Sequence, residues 1–131
     1  MKLIKTLALG AGLSGLLLSA AYAEGLQGKV IGFSQIGSES GWRAAETSVT
    51  KAVAAELGID LKFADAQQKQ ESQIKAIRGF IAQGVEAILV APVVATGWAE
   101  VLTEAKEAAI PVVLLDRGIE GPEDLYLTSV A

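Results

Sequence analysis

Cysteine is missing from this 131-residue chain, so disulfides, thiolate nucleophiles and cysteine-ligated metals are excluded. Histidine is missing too, which removes the commonest general base and the commonest metal ligand. Positive charge is in short supply: 11 Lys and Arg stand against 15 Asp and Glu, a net charge of −4. An acidic surface repels phosphate backbones, so nucleic acid is not an expected partner. What is present is apolar, with 51% hydrophobic residues, and the length suits one domain with a real core.

Residues 1–23 read as a cleavable export signal. Lys2 and Lys5 make a basic start, Leu7 to Leu18 an apolar run, and Ala21-Tyr22-Ala23 an A-x-A cleavage site. The run falls short of the ~20 residues needed to cross a bilayer. With no cysteine behind it there is no lipid attachment point, so a soluble periplasmic product is expected. Loss of Lys2 and Lys5 with the signal leaves residues 24–131 more acidic still.

From Lys29 onward two periodicities alternate. Apolar runs bounded by glycine at Lys29–Gln35, Ile59–Ala64, Val85–Ala91 and Val112–Leu115 read as strands, and Leu125–Val130 as a fifth. Between them Ala45, Val49, Ala52, Val53 and Leu57 fall at helical spacing, as do Ile74, Ile77 and Ile81. The most regular helical face is Trp98, Val101, Leu102, Ala105, Ala108 and Ala109. One junction recurs: Leu57-Gly58-Ile59, Gln83-Gly84-Val85 and Ala108-Ala109-Ile110. The third has alanine where a left-handed cap is easiest for glycine. Repeated βα units with strands apolar throughout define an α/β fold, a parallel sheet with helices on both faces. In such sheets ligands bind beyond the carboxyl ends of the strands, near helix N-termini.

Two segments at that end carry the chemistry. Gly37-Ser38-Glu39-Ser40-Gly41-Trp42-Arg43 follows the first strand and opens the first helix. It lacks the G-x-G-x-x-G order and the Lys-Ser/Thr pair of phosphate loops, and Glu39 repels an anion; no nucleotide, other cofactor or metal is expected. Its acceptors, guanidinium and indole suit a neutral polyol, which offers C–H faces for stacking and hydroxyls for planar bidentate partners. Ser40 also reads as a helix N-cap. Trp42 reads as a ring contact, since a core residue has no need of a place beside Arg43, with core packing as the alternative reading. The second segment, Asp116-Arg117, follows the fourth strand; each side chain can hold two hydroxyls, and a solvated turn pair is the alternative reading. Asp65, Gln67 and Gln73 either line the cleft edge or serve as polar turn and helix-start residues. Trp98 is assigned to packing.

The stretches GFSQIGSESGWRAAET (32–47), ADAQQKQESQIKAIRGFIAQGVEAILVAPVVATGW (64–98) and IPVVLLDR (110–117) resemble type I periplasmic sugar-binding proteins, the ribose- and galactose-binding family. The resemblance implies that Glu39, Ser40, Gly41, Trp42, Arg43, Asp116 and Arg117 bind a monosaccharide, with Gln35 and Asp65 as secondary contacts. It also implies a non-enzymatic receptor for an ABC importer, whose partners are the inner-membrane permease subunits and, as a related possibility, a chemoreceptor. Family members are longer, with a second lobe and hinge strands, so residues 24–131 correspond to the N-terminal lobe alone.

Two other classes of protein share features of this chain. The effector module of a LacI-type regulator shares the fold, but starts with a basic helix-turn-helix and lacks an export signal. A glycosidase on this scaffold would use Glu39 and Asp116 as its two carboxyls, yet the sequence shows no apolar pocket that would keep either protonated.

Overall fold

The computed structural model describes residues 25–131, so the expected export signal lies outside the described residues. From Val30 onward five strands and three helices alternate: β1 Val30–Gln35, α1 Gly41–Glu56, β2 Asp60–Asp65, α2 Gln70–Gln83, β3 Ala87–Val90, α3 Ala99–Glu107, β4 Val112–Leu115 and β5 Thr128–Val130. A single 3-10 turn, Glu123–Leu125, precedes β5. All pairings are parallel and the sheet order is β2-β1-β3-β4-β5. The α/β expectation is met. After β1 the chain steps outward to β2, then returns past β1 to lay down β3. That reversal makes the boundary between β1 and β3 the switch point, where a crevice opens at the carboxyl ends of the strands.

Side-chain alternation sorts the layers. Gly32 of β1 faces α2, and a Cβ there would strike the ring of Phe80. Its neighbour Phe33 faces the other way, edge-on to Phe63 at 5.6 Å, with Lys51 of α1 above the Phe63 ring. Helices therefore cover both faces, unequally. The main core lies under α2 and α3 and gathers Ile77, Phe80, Val90, Trp98, Leu102, Val112 and Leu114. Across the surface of that layer Arg78 donates to Glu104 and Glu100. The hydrogen bonds and charge of Arg78 hold the Glu104 carboxyl below its usual range.

On the opposite face α1 works alone among the described residues; the residues at helical spacing do form this helix, but they cover the sheet thinly. Ala54 is the one residue of α1 that is buried, while Val49 is 62% and Val53 44% exposed. A lone helix cannot seal a five-stranded face. A depression of about 260 Å³ remains where Val49 and Val53 approach Ile31, Leu61 and Leu89. The fifth strand is shorter than expected, because Glu123–Leu125 takes up the 3-10 turn instead.

The recurrent junction is one motif used three times. Gly58, Gly84 and Ala109 have φ of 71°, 69° and 58°. In each case the left-handed residue donates three residues back and the next one five back: Gly58 to Ala55 and Ile59 to Ala54, Gly84 to Ile81 and Val85 to Phe80, Ala109 to Lys106 and Ile110 to Ala105. This is the Schellman closure. Alanine pays a Cβ penalty in that conformation, so Ala109→Gly is expected to stabilise the chain by about 1 kcal/mol. The urea midpoint should rise at an unchanged slope; a fall would mean the side chain contributes more than its backbone costs.

Candidate functional site

The rim of the crevice is assembled from the exits of β1 and β4. At the end of β1, Gln35 is 1% exposed. Its Oε1 accepts from the backbone N–H of Ile36 at 2.9 Å, and its Nε2 donates to Glu46 Oε2 at 2.8 Å and Thr47 Oγ1 at 3.2 Å. The first strand is thereby clamped to α1 at the base of the site. Gln35 thus lies beneath the rim with both amide atoms engaged.

Gly37 opens the loop beyond it. A Cβ at that position would collide with the carboxylate of Glu39, so glycine is what lets Glu39 fold back over the turn. Ser40 follows in extended backbone, φ −120° and ψ 149°, and its Oγ accepts from the Arg43 N–H at 3.2 Å. It is a helix N-cap, as its place in the sequence indicates. From that cap Gly41 starts α1, Trp42 projects outward with 68% of its surface exposed, and Arg43 turns back to pair with Glu39, one helical turn away. The pair is partly sheltered, with 19% and 36% of the two side chains exposed.

At the end of β4 the backbone turns sharply. Asp116 has φ 68°, and across it the Arg117 N–H donates to Leu115 O at 2.8 Å. An i-to-i+2 bond about a positive-φ residue is the strained form of γ-turn, a kind of strain that concentrates at functional sites. The Asp116 N–H is tied to Val130 O of β5 at 2.8 Å. Its carboxylate lies 3.8 Å from Arg117 Nε, close enough for each charge to moderate the other.

The two exits meet across one cavity of about 430 Å³, lined by Trp42, Glu46, Val49, Leu115, Asp116 and Val130. That volume falls within the usual range for small-molecule sites, ~300–1,000 Å³. Its walls are mostly aliphatic and aromatic, with carboxylates from Glu46 and Asp116 among them. The indole and the carboxylate that the sequence singled out thus share a single cavity. Of the other candidates, Glu39, Ser40, Gly41 and Arg43 lie at the start of α1 and Arg117 beside Asp116, and none of them lines this cavity. A wider depression of about 630 Å³ lies at the opposite ends of the strands, around Leu26, Ile81, Val85 and Ile110. Its carboxylate, Glu86, already accepts from Lys29 Nζ and Val30 N, so it offers a ligand little polar recognition.

Other sequence candidates sort by geometry. Asp65 ends the edge strand β2, and its Oδ1 accepts from Gln67 N at 2.8 Å. It thereby braces a loop in which Gln67 and Gln68 have φ of 51° and 62°. Gln73 is fully buried, with its amide spanning Ala91 O at 2.7 Å and Val93 N at 2.9 Å. It therefore fixes the β3 exit instead of capping α2 or lining the cleft. Trp98 is 1% exposed and its Nε1 donates to Val94 O at 2.8 Å, which is the packing role expected for it. Glu46 escaped the sequence reading; its signal was its position one helical turn beyond Trp42.

A five-stranded parallel sheet in the order β2-β1-β3-β4-β5 with helices on both faces is the architecture of a solute-binding protein lobe. The comparisons with known proteins agree. Residues 31–130 match the model of the periplasmic binding protein domain, and the chain belongs to that family. It is 66% identical over 101 residues to the galactofuranose-binding protein YtfQ of Escherichia coli (strain K12), covering 76% of this chain and 32% of the relative. A crystal structure of a galactofuranose-binding protein superposes with a TM-score of 0.76 at 65% identity, over 77% of this chain and 34% of that one. The binding protein of an arabinose ABC transporter from Shewanella sp. ANA-3, bound to α- and β-L-arabinofuranose, gives 0.75 at 64% identity over the same shares. The chain spans about a third of the length of these relatives.

Proposed function

We propose that this chain is the first lobe of a receptor that captures a monosaccharide in its furanose form, of the galactofuranose kind, and hands it to an ABC permease in the inner membrane. The observation that carries the reading is the shared cavity: Trp42 and Asp116, far apart in sequence, face one polyol-sized space between α1 and the ends of β4 and β5. Trp42 offers a face for the C–H side of the ring. Asp116, Arg117 and the Arg43–Glu39 pair supply charged forks for hydroxyls. Relatives whose names specify galactofuranose and arabinofuranose support the ring form. The protein acts as a carrier, without chemistry on the sugar, and no feature of the site favours a LacI-type effector module.

In this reading residues 1–23 direct export to the periplasm and are removed, and residues 24–131 form the N-terminal lobe. A second lobe closes over the sugar by hinge motion, supplying the remaining contacts and excluding water. The closed form is what the permease recognises. The test is calorimetric titration of the receptor with both lobes against galactofuranose, arabinofuranose and their pyranose isomers. Tight, saturable heats with a furanose and weaker ones with its pyranose are expected. Absence of binding to every sugar, or release of a cleaved product from galactosides, would defeat the proposal.

A further inference from the structure

We infer that Glu46 is a further binding residue of this site, the acceptor for one particular hydroxyl of the ligand, and that Gln35 is the positioning residue that aims it. The inference rests on the sugar-receptor reading above. Glu46 follows Trp42 by one turn on the same face of α1, and both side chains line the cavity that Asp116 closes from the other side. Its orientation is set from below. Because Gln35 Oε1 is occupied by the Ile36 N–H at 2.9 Å, Nε2 has to point toward α1, where it meets Glu46 Oε2 at 2.8 Å. At 1% exposure Gln35 has no room to turn over.

The remaining oxygen of Glu46 is what makes the arrangement informative. Among the described residues Oε1 receives no protein donor, and no cation lies within ion-pair distance of this carboxylate. The other two acids of the rim are matched, Glu39 by Arg43 and Asp116 by Arg117. A carboxylate has about four acceptor positions, and the Gln35 amide supplies a donor to only one oxygen. Glu46, half-buried, therefore borders a largely apolar cavity with one oxygen that has no protein donor among the described residues. A neutral donor such as a sugar hydroxyl completes it. Asp116 and Glu46 reach the cavity from different elements, so they read different hydroxyls, and a site built to hold a hydroxyl discriminates strongly against the analogue lacking it.

Glu46→Gln is a sharp probe. With Gln35 Nε2 donating, the new amide must place its oxygen on Gln35 and its NH2 toward the cavity, which turns an acceptor into a donor at nearly constant shape. The experiment titrates the two-lobed receptor, wild type, Glu46→Gln and Gln35→Met, with the preferred furanose and its monodeoxy analogues, alongside thermal unfolding. For the wild type, one analogue is expected to bind roughly tenfold or more weaker than the parent sugar. Glu46→Gln should erase that one ratio and leave the ratios for the other analogues intact. Gln35→Met should reduce the same ratio partway. An equal loss of affinity for the parent and every analogue would show a structural role only and overturn the inference, as would affinities identical to wild type. Should Glu46→Gln unfold at the assay temperature, Glu46→Asp serves instead: it should keep the selectivity order at weaker affinity, and a lost order with parent affinity intact would overturn the idea. Should the wild type bind no sugar, the receptor reading falls together with this one; should the wild type bind while Glu46→Gln is indistinguishable, only the role of Glu46 falls.

Discussion

Asp116→Asn is expected to weaken sugar binding by about 100-fold or more, equivalent to about 3 kcal/mol, while leaving the unfolding midpoint nearly unchanged. The size follows from what the change removes: a carboxylate acceptor able to take two hydroxyls, lining a cavity whose other walls are mostly apolar. Asparagine is the informative replacement because the position has φ 68°. Asn tolerates left-handed backbone better than other side chains, so the γ-turn and the hydrogen bond to Val130 survive. Alanine would add backbone strain to the loss of charge and blur the result. Calorimetry of the two-lobed receptor with a furanose measures the affinity, and thermal unfolding provides the control. Affinity equal to wild type would remove Asp116 from the site.

The second large effect separates the two tryptophans. Trp98→Ala is expected to cost about 3–5 kcal/mol of stability, a large share of the ~5–15 kcal/mol typical of a whole domain. The ring is 1% exposed among Val101, Leu102 and Ala105, and its N–H satisfies Val94 O. Truncation opens a cavity and strands a carbonyl at once. Trp42→Ala should do the reverse. With 68% of that residue exposed, stability should change by no more than about 0.5 kcal/mol, while sugar affinity falls with the loss of the stacking face. Urea unfolding and calorimetry on both variants check the pair. An unstable Trp42→Ala that still binds normally would reverse the assignment of the two rings.

Much of this was legible in the chain because the deciding signals are local. The strands are short apolar runs, and the junctions at Gly58, Gly84 and Ala109 announce themselves by recurrence. Ser40 sits where a cap belongs, directly ahead of a helical pattern. The pairing of the Trp42 loop with Asp116 was legible in a second way. A parallel sheet sends every strand exit to the same end, so residues following β1 and β4 had to lie at one rim. What was hidden depends on tertiary partners. Periodicity put Val49 and Val53 on one helix, but burial needs something to be buried against, and among the described residues α1 has no companion helix on its side of the sheet. Gln73 read as a cap or a cleft residue because nothing in its neighbourhood discloses the carbonyl of Ala91 or the amide of Val93 that it bridges. Glu46 resembled any other acid on a solvated helix until Gln35, eleven residues earlier, proved to hold it. The strain at Asp116 was also invisible, since aspartate carries no mark of positive φ as glycine does.

The sheet order gives the two halves of the rim unequal footing. Strand β1, which carries the Trp42 loop, is held along both edges, by β2 and by β3. Strand β4, which carries Asp116, leans on its outer side against only the three exposed residues of β5. Among the described residues the aromatic half of the rim is therefore braced from both sides, and the acidic half rests on β3 and a three-residue strand.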